Sequence, residues 1–123
     1  MTAEITSPKL RIRIVFGEDE MIGPGKAELL ERIARTGSIA AAGRDMGMSY
    51  KRAWMLVDTL NGMFSGPVVV STRGGPKGGG AHLTDLGQQV LDLYRAFEEA
   101  SARAGEAELA GLRALLRDIP DGK

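Results

Sequence analysis

The sequence predicts an α+β fold, a winged helix-turn-helix followed by a long C-terminal helix that serves dimerisation. Two short helical patterns joined at Met46-Gly47-Met48 occupy residues 38–64. A β-branched run and a glycine-rich loop follow in residues 67–83, and a long amphipathic pattern begins after them. We therefore expect a winged helix-turn-helix domain at 1–83 and a helical, dimerising region at 84–123.

The N-terminal part predicts a strand and a first helix. Residues 9–16, KLRIRIVF, alternate cations with apolar residues, which indicates a half-buried strand. The acidic segment Gly17 to Gly23 is typical of a turn. Pro24 favours the start of a helix and Gly37 its end. The residues expected to face the core are Leu29, Leu30 and Ile33.

The next two helices have N-cap residues and opposed faces. Ser38 and Ser49 can cap them, while the small residues Ala42 and Gly43 permit their close approach. In the second of them an apolar stripe shares one face: Ala53, Trp54, Val57, Leu60 and Phe64. The opposite face carries Lys51, Arg52, Met55 and Thr59.

The exposed first turn of that helix suits insertion into a DNA major groove. Lys51 and Arg52 can reach phosphates and base edges, and the positive end of the helix dipole favours phosphate. Ser49 and Tyr50 would orient the helix entry, although the helical projection turns Tyr50 partly toward the core. Met55 can contact a thymine methyl group. Taken alone, the helix fits an ordinary surface helix equally well.

The segment after this helix predicts a β-hairpin with a cationic tip. Residues 67–73, PVVVSTR, suit a strand, and the loop Gly74 to Gly80 carries Lys77 at its tip and Arg73 at its base. Such a loop describes a wing that contacts DNA. The alternatives are a nucleotide-binding loop that holds phosphates and a flexible connection that only links the two strands. A nucleotide loop needs GxxxxGK before Ser or Thr, whereas Lys77 here precedes three glycines.

Two amphipathic stripes follow Thr84, itself a candidate N-cap. The first is Leu86, Val90, Leu93, Tyr94 and Phe97, and the second, after a break near Gly105, is Leu109, Leu112, Leu116 and Ile119. They predict a dimer interface. The alternative is that both stripes belong to the core of one molecule.

Composition fits one small intracellular domain. The chain has 123 residues, no cysteine, and sixteen basic against sixteen acidic residues. The charges are uneven: residues 44–82 carry five basic and two acidic groups, and residues 83–123 carry five and eight. The excess of cations coincides with the proposed reading elements. Because the chain lacks a secretory signal or an apolar membrane span, we expect it in the cytoplasm.

No residue pattern predicts catalysis, a cofactor or a metal site. His82, the only histidine, has no acid or nucleophile at a usable spacing, so a position in the wing strand is favoured over catalysis. Trp54 could stack a ligand, yet it lies on the core stripe. Met46, Met48, Met55 and Met63 lack the neighbouring His or Cys of a soft-metal site. We therefore expect a protein that is not an enzyme.

Two sequence blocks, TGSIAAAGRDMGMSYKRAWMLVDTLN and TRGGPKGGGAHLTDLG, resemble the N-terminal winged-helix domain of the ModE family. This family comprises molybdate-responsive bacterial transcription regulators. The similarity extends from about Gly23 to about Tyr94, and the SYKRAW segment is its most specific part. The resemblance implies a DNA-binding dimer in which Ser49 to Arg52 and the Arg73 to Gly80 wing occupy the reading positions.

The resemblance does not extend to the family's sensor. The chain ends at Lys123, which leaves no room for the two small β-barrel molybdate-binding modules that usually follow. Direct molybdate binding is therefore not expected. Either the chain is a stand-alone member or it is part of a longer protein, and the start at Met1 and the polar end favour a natural length.

These observations predict a regulator that binds double-stranded operator DNA as a homodimer, with half-sites about one helical turn, or a multiple of it, apart. A connection with molybdenum metabolism follows from the resemblance. The alternative is a protein-interaction module that uses the winged helix and the apolar C-terminal helices without reading DNA.

Overall fold

The computed structural model describes residues 9–72 and 80–117. Within these ranges the chain forms two small antiparallel sheets and five α-helices. In chain order they are β1 (Ile14–Val15), β2 (Met21–Ile22), α1 (Pro24–Thr36), α2 (Ile39–Asp45), α3 (Tyr50–Met63), β3 (Val69–Thr72), β4 (Gly80–Leu83), α4 (Asp85–Ala104) and α5 (Glu106–Ala114). This order, with a helix-turn-helix followed by a hairpin, confirms the predicted α+β winged helix.

The N-terminal hairpin differs from the prediction of one strand over residues 9–16. Only Ile14 and Val15 are paired, with Ile22 and Met21 respectively. The second strand therefore lies within the segment interpreted as a turn, whose bend is limited to residues 17–19. The predicted alternation of exposure does occur from Lys9 to Ile14. Alternation reports which side chains are covered, whereas a strand also needs a neighbouring backbone, and β2 offers only two residues.

The first three helices enclose the core. Leu29, Leu30 and Ile33 of α1 are fully buried, as predicted. Gly37 ends α1 in the left-handed conformation, with φ of 73°, and its N–H donates to the Ile33 carbonyl oxygen. Ser38 caps α2 by accepting from the Ala41 N–H at 3.0 Å. Each boundary that the sequence predicted from Pro, Gly or Ser is thus present.

The wing sheet is held between the helices. β3 and β4 pair antiparallel with Val69 opposite Leu83 and Thr72 opposite Gly80. Thr84, which caps α4 through the Gly87 N–H, also donates its hydroxyl to the Pro67 carbonyl oxygen at 2.7 Å. Gly87 lies so close to β3 that an added Cβ would be 2.0 Å from the Val68 oxygen. The start of β3 therefore packs directly on α4.

Helix α4 buries a narrower face than the predicted stripe. Of the five predicted residues only Tyr94 is buried, and its hydroxyl donates to the carbonyl oxygen of Ile12. Leu91, outside the predicted stripe, is the other large apolar residue that α4 buries. Leu93 is 69% exposed, and Leu86 and Val90 are half-buried. The alternative that the stripe is simply intramolecular core is therefore wrong for Leu93 and Phe97.

Helix α5 follows Gly105, at the predicted break, and within the described residues it buries no side chain. Leu112 and Leu116 are exposed, while Leu109 is half-buried; Ile119 lies outside the described residues. No helix within 9–72 and 80–117 combines the length and apolar character required to span a bilayer.

Candidate nucleic-acid interface

The turn between α2 and α3 fixes where α3 begins. Gly47 has a φ of 73°, a conformation that glycine adopts without strain, and the Met48 N–H donates to the Gly43 carbonyl oxygen at 2.9 Å. At Gly43 an added Cβ would be 3.0 Å from the Ala53 Cβ, so the two helices cross closely there. This contact explains a glycine in the middle of α2. The turn and this close contact together define the angle between α2 and α3.

The first turn of α3 is capped and open to solvent. Ser49 accepts a hydrogen bond from the Arg52 N–H at 3.1 Å, as expected of an N-cap. Lys51 and Arg52 are both exposed, and among the described residues neither forms an ion pair. The opposite face of the same helix is buried through Ala53, Val57 and Leu60. The helix thus presents two exposed cations, without an ion pair in the described ranges, on a face opposite its buried side.

Three cations outside α3 are paired or partly covered. Arg32 pairs with Glu28 at 2.6 Å and Arg95 with Glu31 at 2.6 Å. The hydrogen bond from Arg32 lowers the pKa of Glu28, and burial, assisted by the charge of Arg13, lowers the pKa of Lys26. Arg32, Arg95 and Lys26 are therefore matched or partly covered, unlike Lys51 and Arg52.

The aromatic and apolar candidates on α3 divide between surface and core. Tyr50 is 56% exposed and Met55 54% exposed, so both can contact a ligand. Tyr50 therefore projects more into solvent than the helical projection suggested. Trp54 is half-buried against the core and meets the Tyr50 ring edge-on, with centroids 6.3 Å apart. The packing interpretation of Trp54 is confirmed.

The strands of the wing expose polar side chains. Ser71 and Thr72 of β3 are exposed, and His82 projects to solvent from β4 opposite Val70, as expected for a wing-strand residue. Arg73 and Lys77, predicted to contact DNA, lie outside the described residues. Their DNA contact stays a prediction.

Asn61 is a residue that sequence reasoning missed. Its side-chain oxygen accepts from the Val68 N–H at 2.8 Å and the Val69 N–H at 3.0 Å, and its amide donates to the Val69 carbonyl oxygen at 3.1 Å. The available signal was an Asn in the last turn of a helix just before a strand, since such amides often bond nearby backbone. The amide connects α3 with β3.

Across the two described ranges, His, Asp and Glu side chains form no cluster of three that could hold a metal ion. The features that converge at α3 are a helix N-terminus, unpaired cations and exposed Tyr and Met side chains. Together they can bind a polyanion and contact base edges.

No family model matches the chain, but several curated proteins are similar to it. The molybdenum-pterin-binding protein MopB of Rhodobacter capsulatus is 44% identical over 82 residues, covering 67% of this chain and 30% of its own. The molybdenum transport protein ModE of Azotobacter vinelandii is 45% identical over 73 residues, covering 59% and 27%. The DNA-binding transcriptional dual regulator ModE of Escherichia coli K12 is 37% identical over 81 residues, covering 66% and 31%.

This chain thus matches about 30% of the length of these relatives. The similarity in sequence coincides with a winged helix in structure. The chain therefore belongs to the ModE family, with a likeness confined to the family's N-terminal domain.

Proposed function

We propose that the chain is a sequence-specific, DNA-binding transcriptional regulator whose helix α3 enters the major groove of operator DNA. The observation that carries this proposal is the position of Lys51 and Arg52, exposed and without an ion pair to any described residue, on a helix whose opposite face is buried. The name of the Escherichia coli relative, a DNA-binding transcriptional dual regulator, supports the same role. A bacterial regulator of this kind acts in the cytoplasm, where the DNA is.

In this proposal each residue of the first turn of α3 has a role. Ser49 holds the helix start, and Tyr50 orients its entry by contacting the sugar-phosphate backbone. Lys51 and Arg52 contact phosphates and guanine edges, and Met55 packs on a thymine methyl group. Arg73 and Lys77 of the wing contact phosphates beside the groove. Phosphate contacts fix the position of the helix, and base contacts supply specificity.

Dimerisation is the second part of the proposal. A groove of about 540 Å³ runs between the N-terminal hairpin and α4; it is lined by Ile14, Phe16, Ile22, Phe64, Leu86, Gln89, Val90, Leu93, Tyr94 and Phe97. Contiguous apolar surface of this kind typically marks an interface. A second copy related by a twofold axis would cover it and place two α3 helices on one face of DNA.

A role in molybdenum metabolism is the third part. Relatives are named for molybdenum transport and molybdenum-pterin binding, which supports a physiological signal of that kind. We do not assign a molybdate site to this chain. A titration with molybdate or tungstate, followed by Trp54 fluorescence, tests whether the 123-residue chain binds either oxyanion. A saturable change in fluorescence would show that it does.

The exposed apolar surface also supports the alternative, a protein-interaction module that docks a partner without reading DNA. Salt distinguishes the two functions. Binding through several phosphates weakens steeply between about 50 and 200 mM salt, whereas apolar docking hardly responds.

The test of the proposed function is selection of duplexes from a random-sequence pool by the full 123-residue chain. We expect enrichment of a pseudo-palindromic sequence, with a linear fall in log affinity against log salt. A chain that enriches no sequence and retains no duplex at about 50 mM salt does not bind DNA, and the protein-interaction function then takes precedence.

A further inference from the structure

We propose that Asn61 is the positioning residue that sets the wing strand against the recognition helix, and so allows both elements to contact DNA together. The inference rests on the proposed function. It concerns a residue that does not itself touch DNA, because Asn61 lies in the last turn of α3, about 15 Å along the helix from Lys51.

The first observation is the number of bonds that this one side chain makes. All three hydrogen bonds of the Asn61 amide go to the backbone of two consecutive residues, Val68 and Val69, at 2.8 to 3.1 Å. Both valines are buried, at 0% and 3% exposure, so water cannot easily replace the amide. A side chain bound to backbone on both its oxygen and its nitrogen defines orientation as well as distance.

The second observation is that the other strand of the wing has its own anchor. The Ala81 N–H of β4 donates to the Gly37 carbonyl oxygen at 2.9 Å, at the junction of α1 and α2. The hairpin is therefore fixed at β4 by the first helices and at β3 by α3. Loss of the Asn61 bonds would leave β3 held by β4 and, at Pro67 and Val68, by the start of α4, so that its far end could change its tilt relative to α3.

The consequence of such a tilt grows along the strand. Four residues of β3 extend about 13 Å, so a change of about 10° at Val69 moves the far end by about 2 Å. Hydrogen bonds and charge-assisted contacts to phosphates are lost over shifts of that size. The wing would then meet the DNA backbone out of register with α3.

The test is a double-mutant cycle on a duplex selected by the wild-type chain. Asn61→Ala should weaken binding about tenfold. In a background carrying Arg73→Ala and Lys77→Ala, the same substitution should weaken binding less than about twofold, because the wing contacts are already absent. In a Lys51→Ala background it should keep its full effect. A merely structural role would weaken binding equally in all backgrounds.

Two further variants control for the possibility that Asn61→Ala weakens binding by misfolding the protein. Asn61→Ser, whose hydroxyl is too short to reach both N–H groups, should show the same pattern with a smaller loss. Gln88→Ala removes a side-chain amide that bonds Asp92 on the surface of α4, and should leave affinity unchanged. Amide exchange should show faster exchange at Val68 and Val69 in the Asn61 variants while α1 stays protected.

The outcomes separate the two proposals. If the wild-type chain selects no duplex, the proposed function fails and this inference with it. If the wild-type chain binds DNA but Asn61→Ala binds equally well, or weakens binding in every background alike, DNA binding stands and the positioning role of Asn61 is wrong.

Discussion

Helices α1 and α5 both carry apolar residues at helical spacing, but their surroundings are opposite. Helix α1 buries Ala27, Leu29, Leu30 and Ile33, whereas α5 buries none of its described side chains, and Leu115 just beyond it is 84% exposed. An apolar stripe states that a face should be covered. It does not state whether the same chain or a second molecule covers it: within the described residues α1 is covered by its own chain and α5 is not.

The largest expected difference is between two leucine truncations, one in α1 and one just after α5. Leu30→Ala should lower the free energy of unfolding by about 3 kcal/mol, because it leaves a cavity in a closed core. Leu115→Ala should change it by less than about 0.5 kcal/mol in dilute, monomeric protein. Urea denaturation measures both. Equal losses would show that α5 packs on its own domain in solution.

The contact between the wing and α4 gives a second, smaller effect. Gly87→Ala should lower the free energy of unfolding by about 2 kcal/mol, since its Cβ would overlap the Val68 oxygen. Gly62→Ala is the matched control on α3: a Cβ there meets nothing within 4 Å, so the substitution should raise stability by about 0.5 kcal/mol. Thermal melting of both variants tests the comparison, and a Gly87 variant as stable as the wild type would contradict the close packing.

The exposed face of α4 is expected to contribute to self-association of the chain. Leu93→Ala should weaken the dimer about tenfold without lowering the stability of the monomer, since Leu93 contributes little to its own core. Sedimentation over a range of concentrations measures the dissociation constant, with Gln88→Ala as a control. A wild-type chain that stays monomeric at high concentration would assign the groove to another partner.

Helix caps give the smallest effect. Ser38→Ala and Ser49→Ala should each cost about 1 kcal/mol, because each removes the acceptor of a helix N–H. Helix α5 begins at Gly105 without a side-chain cap, so Gly105→Ser should cost far less than either. Denaturation curves for the three variants rank them, and a Ser49 variant with wild-type stability would place the start of α3 elsewhere.

The sequence predicted the features that depend on neighbours along the chain. Ser38, Ser49 and Thr84 cap helices by accepting from the N–H three positions ahead, and Pro24 and Gly37 bound α1 by their own backbone preferences. Such local interactions can be predicted from the sequence without knowledge of the fold. The helix-turn-helix and the wing could be identified because they consist of these signals in a fixed order.

Contacts across the fold were not predictable in the same way. Asn61 bonds a strand seven and eight residues away, and Gly87 fits only because Val68 passes beside it, which no periodicity encodes. The buried face of α4 includes Leu91, outside the predicted stripe, and Tyr94, which bonds the distant backbone at Ile12. In the candidate site, exposure of Lys51 and Arg52 was predicted, but the residue that fixes the wing was not.

The most direct measurement is DNA affinity as a function of salt for Lys51→Ala/Arg52→Ala, beside Lys9→Ala/Arg103→Ala, which removes equal charge elsewhere on the surface. If α3 reads the groove, the first variant should bind at least about tenfold more weakly, with a salt slope lower by about 2. The second should match the wild type. Equal affinity and slope in both variants would contradict the assignment of α3 as the DNA-reading helix.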